Sequence, residues 1–182
     1  MDFPIPVEMT LTRLLQTFIE ELGWDADISL KPDHSGAHYE SRLSTAELNA
    51  RLSIEVDEAR CCISVWLSNE ITVPERRYAK ALELANAINA RTRRGCVVVT
   101  ARQPFCFRHT VDLDGLNPTA QVIKQLVDTA VCVLGTWQEE MGRVVFTRTT
   151  AKALLAEIDA GVEDDIDRAL PPVRPPSPST VQ

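Results

Sequence analysis

Five cysteines and three histidines are among the residues of this 182-residue chain that could bind a metal or attack a substrate. No two cysteines have the C-x-x-C spacing that is typical of zinc and redox sites. Cys61 and Cys62 are neighbours on a predicted strand, so their side chains point to opposite faces and cannot bind one tetrahedral ion. The spacing therefore does not favour a metal site.

A disulfide across the second predicted hairpin is not expected. That hairpin would turn at residues 103–104, which places Cys96 opposite the region of Val111 and away from Cys106. Free cysteine in a folded domain behaves as a small buried hydrophobe. We therefore expect reduced, structural cysteines, with a redox or metal role as the alternative, at positions 61, 62, 96, 106 and 132.

The three histidines do not form a ligand set. His34 and His38 are four residues apart, which suits a metal only on a helix, but Ser35 and Gly36 between them favour a solvated loop. His109 is a lone histidine on the apolar face of a predicted strand. No nucleophile is paired with it in the pattern, so a hydrogen-bonded core residue is expected.

Asp112, Asp114 and Gly115 resemble the start of a calcium loop. The following Leu116 and Asn117 supply neither the oxygen at position five nor the glycine at position six, and no glutamate closes the pattern. Turn and helix-cap chemistry is the better interpretation. The seven glycines are not clustered into a phosphate loop. No catalytic residue, cofactor or metal is predicted.

The charge of the chain limits its partners. A net charge of −7 and a pI near 5.0 disfavour nucleic acid and anionic membranes. A group of arginines around the second predicted helix could form a basic patch despite this acidic charge. A solvated helix face that complements the helix dipole is the favoured interpretation. The arginines concerned are Arg76, Arg77, Arg91, Arg93 and Arg94. No membrane span or leader pattern is visible, so a cytoplasmic location is expected.

The first half of the chain predicts a helix followed by three strands. An apolar stripe after Thr10 predicts helix one, which ends at Gly23. Residues 24–30 alternate as a strand, and residues 31–44 form a polar loop with room for a short edge strand at 39–43. Residues 48–56 and 61–68 alternate as a hairpin that places Trp66 on the more exposed face.

The second half repeats this plan. Pro74 fits the first turn of helix two, whose predicted buried stripe is Tyr78, Ala81, Leu82, Ala85 and Ile88. Residues 97–99, apolar on both faces, predict a central strand, and residues 105–113 alternate as its partner. Asn117 and Pro118 would begin helix three, which extends to Met141. The segment after Gly142 would be a short strand or a break, and residues 152–160 are helical.

One domain is predicted over residues 1–160, with a core at 9–141 and an extension at 142–160. Residues 161–182 form an acidic, proline-rich tail that is expected to be disordered. Pro172 and Pro175 have the P-x-x-P spacing that polyproline-binding domains accept, but a merely disordered end is favoured.

The order of elements over residues 11–141, with RHTVDLDGLNPTAQVIKQLVDTA as the most typical stretch, resembles the YbjN family of bacterial proteins. That family is similar to the type III secretion chaperone fold, including the Tir/CesT chaperones. The resemblance implies an α+β fold in the order α-β-β-β-α-β-β-α, a twisted antiparallel sheet flanked by helices, and frequent dimers. An additional C-terminal helix is predicted here. The family supplies no catalytic motif.

Large apolar side chains are the remaining functional signal, since such residues dominate protein interfaces. The interface candidates are Trp66, Tyr78, Leu82 and Trp137; ordinary packing is the alternative. We expect a non-enzymatic, chaperone-like or regulatory protein-binding module. It would be a homodimer formed through helix two and the neighbouring strands that holds a partner segment across the sheet and helix one, with addition of an extended chain to a sheet edge as the contact. The alternatives are a small-ligand or signal-sensing regulatory domain and an enzyme with an unrecognised site.

Overall fold

A computed structural model describes residues 10–24, 28–33, 35–45 and 48–169, with side chains as far as residue 160. His34 and the P-x-x-P prolines lie outside these residues. The elements, in chain order, are α1 (Thr10–Glu21), β1 (Ser29–Leu30), β2 (Gly36–Ser44), β3 (Asn49–Asp57), β4 (Cys62–Thr72), a 3₁₀ turn (Glu75–Arg77), α2 (Tyr78–Arg91), β5 (Cys96–Val98), β6 (Pro104–Asp112), α3 (Ala120–Thr136), α4 (Gln138–Phe146) and α5 (Ala151–Ala169). The predicted α+β class is confirmed.

The six strands form one antiparallel sheet in the order β1-β2-β3-β4-β6-β5. Successive residues of a strand point to opposite faces, and β3 buries every second residue from Ala50 to Val56. Helices α1 to α4 contact the sheet on this buried face, where the core lies. No described helix covers the opposite face. This open face carries Glu40, Arg42, Arg51, Ser53, Trp66, Ser68, Arg108 and Thr110.

The first helix is attached to the sheet through its own amino terminus. The carboxylate of Glu58, in the β3–β4 turn, accepts hydrogen bonds from the backbone N–H groups of Leu11 (3.3 Å) and Thr12 (2.7 Å). Two of the four amides that a helix leaves unpaired at its start are thereby satisfied. Gly23, with φ of +62°, ends the helix as predicted.

The prediction of a polar loop over residues 31–44 is wrong. Most of this segment is β2, which pairs with β3 along its whole length, and the suggested edge strand at 39–43 lies inside it. His38 therefore lies in a strand, where its Nε2 is 2.9 Å from the Ser53 hydroxyl oxygen. Only Gly36, Ala37 and Tyr39 of β2 are buried, so the apolar alternation was too short to detect. The strand before it is also shorter than predicted, since β1 has two residues.

Several helix boundaries also differ from prediction. Leu84, not Leu82, completes the buried stripe of α2. Helix α3 begins at Ala120 after Thr119, so the predicted start at Asn117 is wrong. It stops at Thr136, and α4 then continues through Gly142 to Phe146, where a strand or break was expected. The last helix, α5, extends to Ala169, past the predicted start of the tail at residue 161.

Candidate protein-binding surface

A tryptophan–arginine pair occupies the centre of the open face. Trp66 of β4 lies directly opposite Arg108 of β6, and the guanidinium carbon of Arg108 is 4.5 Å from the indole ring centroid. This separation suits a cation–π interaction. Two residues away along each of these strands, the hydroxyl groups of the paired Ser64 and Thr110 share a hydrogen bond of 2.8 Å. The face thus presents a half-buried indole beneath an exposed cation.

The four predicted interface candidates do not gather at one place. Trp66 is on the open face, as predicted. Tyr78 and Leu82 lie one turn apart on α2, on the other side of the sheet, where Leu82 is 37% exposed. Trp137 is half-buried at the junction of α3 and α4. The candidates therefore lie on separate surfaces.

The two edges of the sheet differ in how they could accept another strand. Strand β5, predicted to be central, is an edge strand. The backbone N–H and C=O of its Val97 are nevertheless already hydrogen-bonded. The Asn89 side chain accepts from the Val97 N–H (2.7 Å) and donates to the Val97 carbonyl (3.0 Å). At the other edge, β1 pairs with only His38 and Ala37 of β2. Among the described residues, the rest of the β2 edge has no neighbouring strand.

Two concavities meet at the loop between α2 and β5. One, of about 470 Å³, is lined by arginines of this loop together with Val133 and Trp137. The other, of about 500 Å³, is lined by the same loop together with Cys96, Arg108 and Thr110. Arg93 and Arg94 contribute to both, so they lie between Trp137 and the open face.

His109 also lines the second concavity. Its Nδ1 is buried and has no hydrogen-bond partner among the described residues, so the prediction of a hydrogen-bonded core histidine is wrong for that atom. Phe107 contacts the imidazole edge-to-face at 6.3 Å between ring centroids. Burial lowers the pKa of His109 below its ordinary value, and the charge of Arg94 lowers it further.

We expect this histidine to make the protein less stable in mild acid. Because its folded-state pKa is lowered, the unfolded chain binds the proton first, so the free energy of unfolding falls as the pH drops below about 6.5. Urea unfolding at several pH values should show a weaker fall for His109→Gln. An NMR titration should place the pKa of His109 below the unfolded value and show it rising in Arg94→Ala. A pKa at or above the unfolded value would contradict this.

The five cysteines are unpaired thiols, of which four are half-buried and Cys132 is exposed. Cys96 pairs with Arg108, three residues from the predicted partner, because the hairpin is centred on residue 102 and not on residues 103–104. Burial raises the pKa of the Cys62 and Cys106 thiols, which disfavours the reactive thiolate. Within the described residues, no three His, Cys, Asp or Glu side chains gather in a way that could hold a metal.

The Asp112–Gly115 segment forms a turn, as predicted. The Asp112 carboxylate accepts the Asp114 backbone N–H at 2.9 Å, and Gly115 has φ of +68°. Both are features of a local turn that leads toward α3. Among the described helices, none has the length and apolar composition needed to cross a membrane.

Comparisons with known proteins agree with this architecture. No curated protein matches the sequence. A chain of the ExsC–ExsE complex is similar with a TM-score of 0.53 at 10% identity, covering 71% of this chain and 91% of that one. YbjN from E. coli gives 0.47 at 14% identity, covering 74% and 95%, and a chain of the HopA1–SchA chaperone–effector complex gives 0.44 at 14%, covering 75% and 99%. The likeness to the ExsC–ExsE chain shows a shared fold.

The sequence comparison is more specific than these structural ones. The model of the YbjN family, described as "Putative bacterial sensory transduction regulator", matches residues 13–143. The match includes all of the sheet and most of the helices that cover it. The predicted resemblance is confirmed, and the chain belongs to the YbjN family.

Proposed function

We propose that this protein is a non-enzymatic, regulatory or chaperone-like module that holds a segment of a partner protein. The observation that carries the proposal is the open face, where an indole and a guanidinium stack on a sheet with no described helix over them. Tryptophan and arginine are, with tyrosine, the residues enriched among interface hot spots. Shared fold with a chain of the ExsC–ExsE complex supports the same class of function.

Two further features support binding over catalysis. The concavities beside the loop between α2 and β5 are open to solvent, which suits a segment of chain better than an enclosed small molecule. The shifts of His109 and of the Cys62 and Cys106 thiols all favour their neutral forms. Neutral thiols are poor nucleophiles. We therefore propose that the protein has no catalytic activity. We also propose that it acts in the cytoplasm.

A homodimer formed through α2 is part of the proposal. Leu82 is an exposed leucine in a helix, and Tyr78 lies one turn before it, so a second copy of α2 could cover both. The partner segment would then bind the open face or extend the sheet at β2, because Asn89 occupies the β5 edge. Light scattering at micromolar concentration should give a dimer mass for the wild type and a monomer for Leu82→Glu; a wild-type monomer would contradict the dimer.

The test of partner binding uses the full-length tagged protein isolated from its native cells at low salt. Mass spectrometry identifies what travels with it, and binding is then repeated with both purified proteins. We expect Trp66→Ala and Trp137→Ala each to weaken the reconstituted complex by about 30-fold, which corresponds to roughly 2 kcal/mol. Phe146→Ala is the control, since Phe146 is 72% exposed at the end of α4. Equal affinity of all variants would reject the proposed surface.

A further inference from the structure

Three exposed arginines near β5 have no carboxylate partner among the described residues. The side chains of Arg93, Arg94 and Arg108 form no hydrogen bond or ion pair there, and the Arg108 guanidinium lies over the ring of Trp66. Arg91, by contrast, is paired with Asp159 at 3.0 Å. In a chain of net charge −7, three unneutralised cations at one place form a local region of opposite sign.

The helix that precedes these arginines does not require them. Helix α2 ends at Arg91, and Thr92 closes it by bonding its backbone N–H and its hydroxyl to the Ile88 carbonyl, both at 2.9 Å. The favourable effect of a cation on a helix dipole falls off within the last turn. Arg93 and Arg94 lie beyond that turn, so capping does not account for them.

The arrangement of the loop explains how these charges are held together. Gly95 has φ of +72°, a conformation that glycine adopts without strain, and it packs directly against Phe107. The two concavities on either side of the loop have no carboxylate in their lining. We call this surface the arginine groove; it comprises Trp137, Arg93, Arg94, Arg108 and Trp66.

We propose that the arginine groove binds an acidic segment of a partner protein, with carboxylates on Arg93, Arg94 and Arg108 and an adjacent apolar side chain against Trp137. This inference rests on the proposed protein-binding function and specifies the chemistry of the partner. Guanidinium groups bind carboxylates through paired, charge-assisted hydrogen bonds. An acidic segment would be repelled by much of this acidic protein and attracted to this cluster of three arginines, which favours one register of the complex.

The test selects ligands without assuming the partner. A random 12-residue peptide library displayed on phage is selected on the full-length protein, with excess Arg93→Ala/Arg94→Ala protein in solution to remove other binders. We expect the enriched peptides to carry two or more Asp or Glu residues beside a large apolar residue. The enriched peptide, synthesised and labelled, should bind the double variant at least about tenfold more weakly by fluorescence anisotropy. Arg93→Lys/Arg94→Lys should give an intermediate affinity because it keeps charge without the guanidinium fork.

The matched control is Arg76→Ala/Arg77→Ala, which removes the same charge from adjacent arginines at the opposite end of α2. It should leave peptide affinity unchanged. Equal loss in this control, equal binding of peptides with Asn and Gln in place of Asp and Glu, or failure to enrich any peptide would overturn the inference. A wild-type dimer that becomes monomeric in Arg93→Ala/Arg94→Ala would also overturn the inference, because a second copy of the protein would then occupy the arginine groove.

These outcomes separate the inference from the proposed function. Enriched peptides that lack acidic residues but lose affinity in Trp66→Ala or Trp137→Ala would keep the binding module and reject its acidic ligand. If no enriched peptide depends on the arginines or on the tryptophans, and no partner complex is reconstituted from purified proteins, the protein-binding function and the acidic ligand are both rejected.

Discussion

Substituting Gly95 by alanine is expected to destabilise the protein by about 2–5 kcal/mol, combining backbone strain with overpacking. A Cβ atom at this position would lie 2.3 Å from Cζ of Phe107 and 2.8 Å from the Arg108 carbonyl oxygen. Phe107 is fully buried, so its ring has little room to move. The residue would also have to keep φ of +72°. Urea unfolding should show the effect as a lower midpoint at unchanged slope.

Gly115→Ala is the matched control for this prediction. Gly115 has nearly the same φ, +68°, but nothing lies within 4 Å of the Cβ that would be added. It should therefore show only the cost of the left-handed conformation, about 1 kcal/mol. Equal losses at the two glycines would mean that the contact with Phe107 is unimportant. In Gly95→Ala/Phe107→Leu, the smaller side chain should recover part of the steric loss, giving a non-additive double-mutant cycle.

The same substitution should affect binding, because Gly95 follows Arg93 and Arg94 directly. A loop displaced by the Phe107 ring would move both guanidinium groups relative to Arg108. Acidic-peptide affinity should therefore fall in Gly95→Ala, measured at a temperature where the variant is still folded. In Gly115→Ala, whose turn lies outside the arginine groove, affinity should be retained. Unchanged affinity in a folded Gly95→Ala protein would indicate that the loop position does not matter.

The sequence predicted the elements whose apolar period is long and undisturbed. The β3–β4 hairpin alternates over its whole length, so its strands, and the placement of Trp66 on the exposed face, followed from parity alone. Strand β2 was missed because it lies at one side of the sheet and buries few side chains. Its pairing depends on β3, and such a tertiary contact is not visible in local composition.

The candidate surface was predictable only in part for a related reason. Trp66 could be found from its own strand, but Arg108 stacks on it through the pairing of β4 with β6, which are separated by α2 and β5. The hairpin of β5 and β6 also differs from its predicted register by three residues, because it is centred on Arg102, with φ of +64°, and not on residues 103–104. Consequently, the arginines were assigned to a helix face, and their position beside two tryptophans became evident only from the fold.

Asn89→Ala is expected to lower the free energy of unfolding by about 2–4 kcal/mol, because it removes two hydrogen bonds and leaves both backbone groups of Val97 unpaired. Val97 is only 4% exposed, so water cannot easily replace the lost bonds. Asn86→Ala is the control: Asn86 is exposed on the same helix, and alanine is a better helix former, so no loss is expected there. Equal stability of the two variants would contradict the role of Asn89.

Opening the β5 edge should also change how the protein associates. An edge strand with unpaired N–H and C=O groups is a template for another chain, and native proteins usually block such edges. We expect Asn89→Ala to exchange the Val97 amide hydrogen faster and to self-associate at concentrations where Asn86→Ala does not. Asn89→Asp should lie between them, since its carboxylate can still accept from the Val97 N–H but cannot donate to the Val97 carbonyl. If Asn89→Ala gains a new dimer while the arginine groove still binds its peptide, strand addition and acidic-segment binding are separate properties of neighbouring surfaces. If the new dimer displaces the peptide, the two compete for one surface, and Asn89 keeps that surface free for the partner.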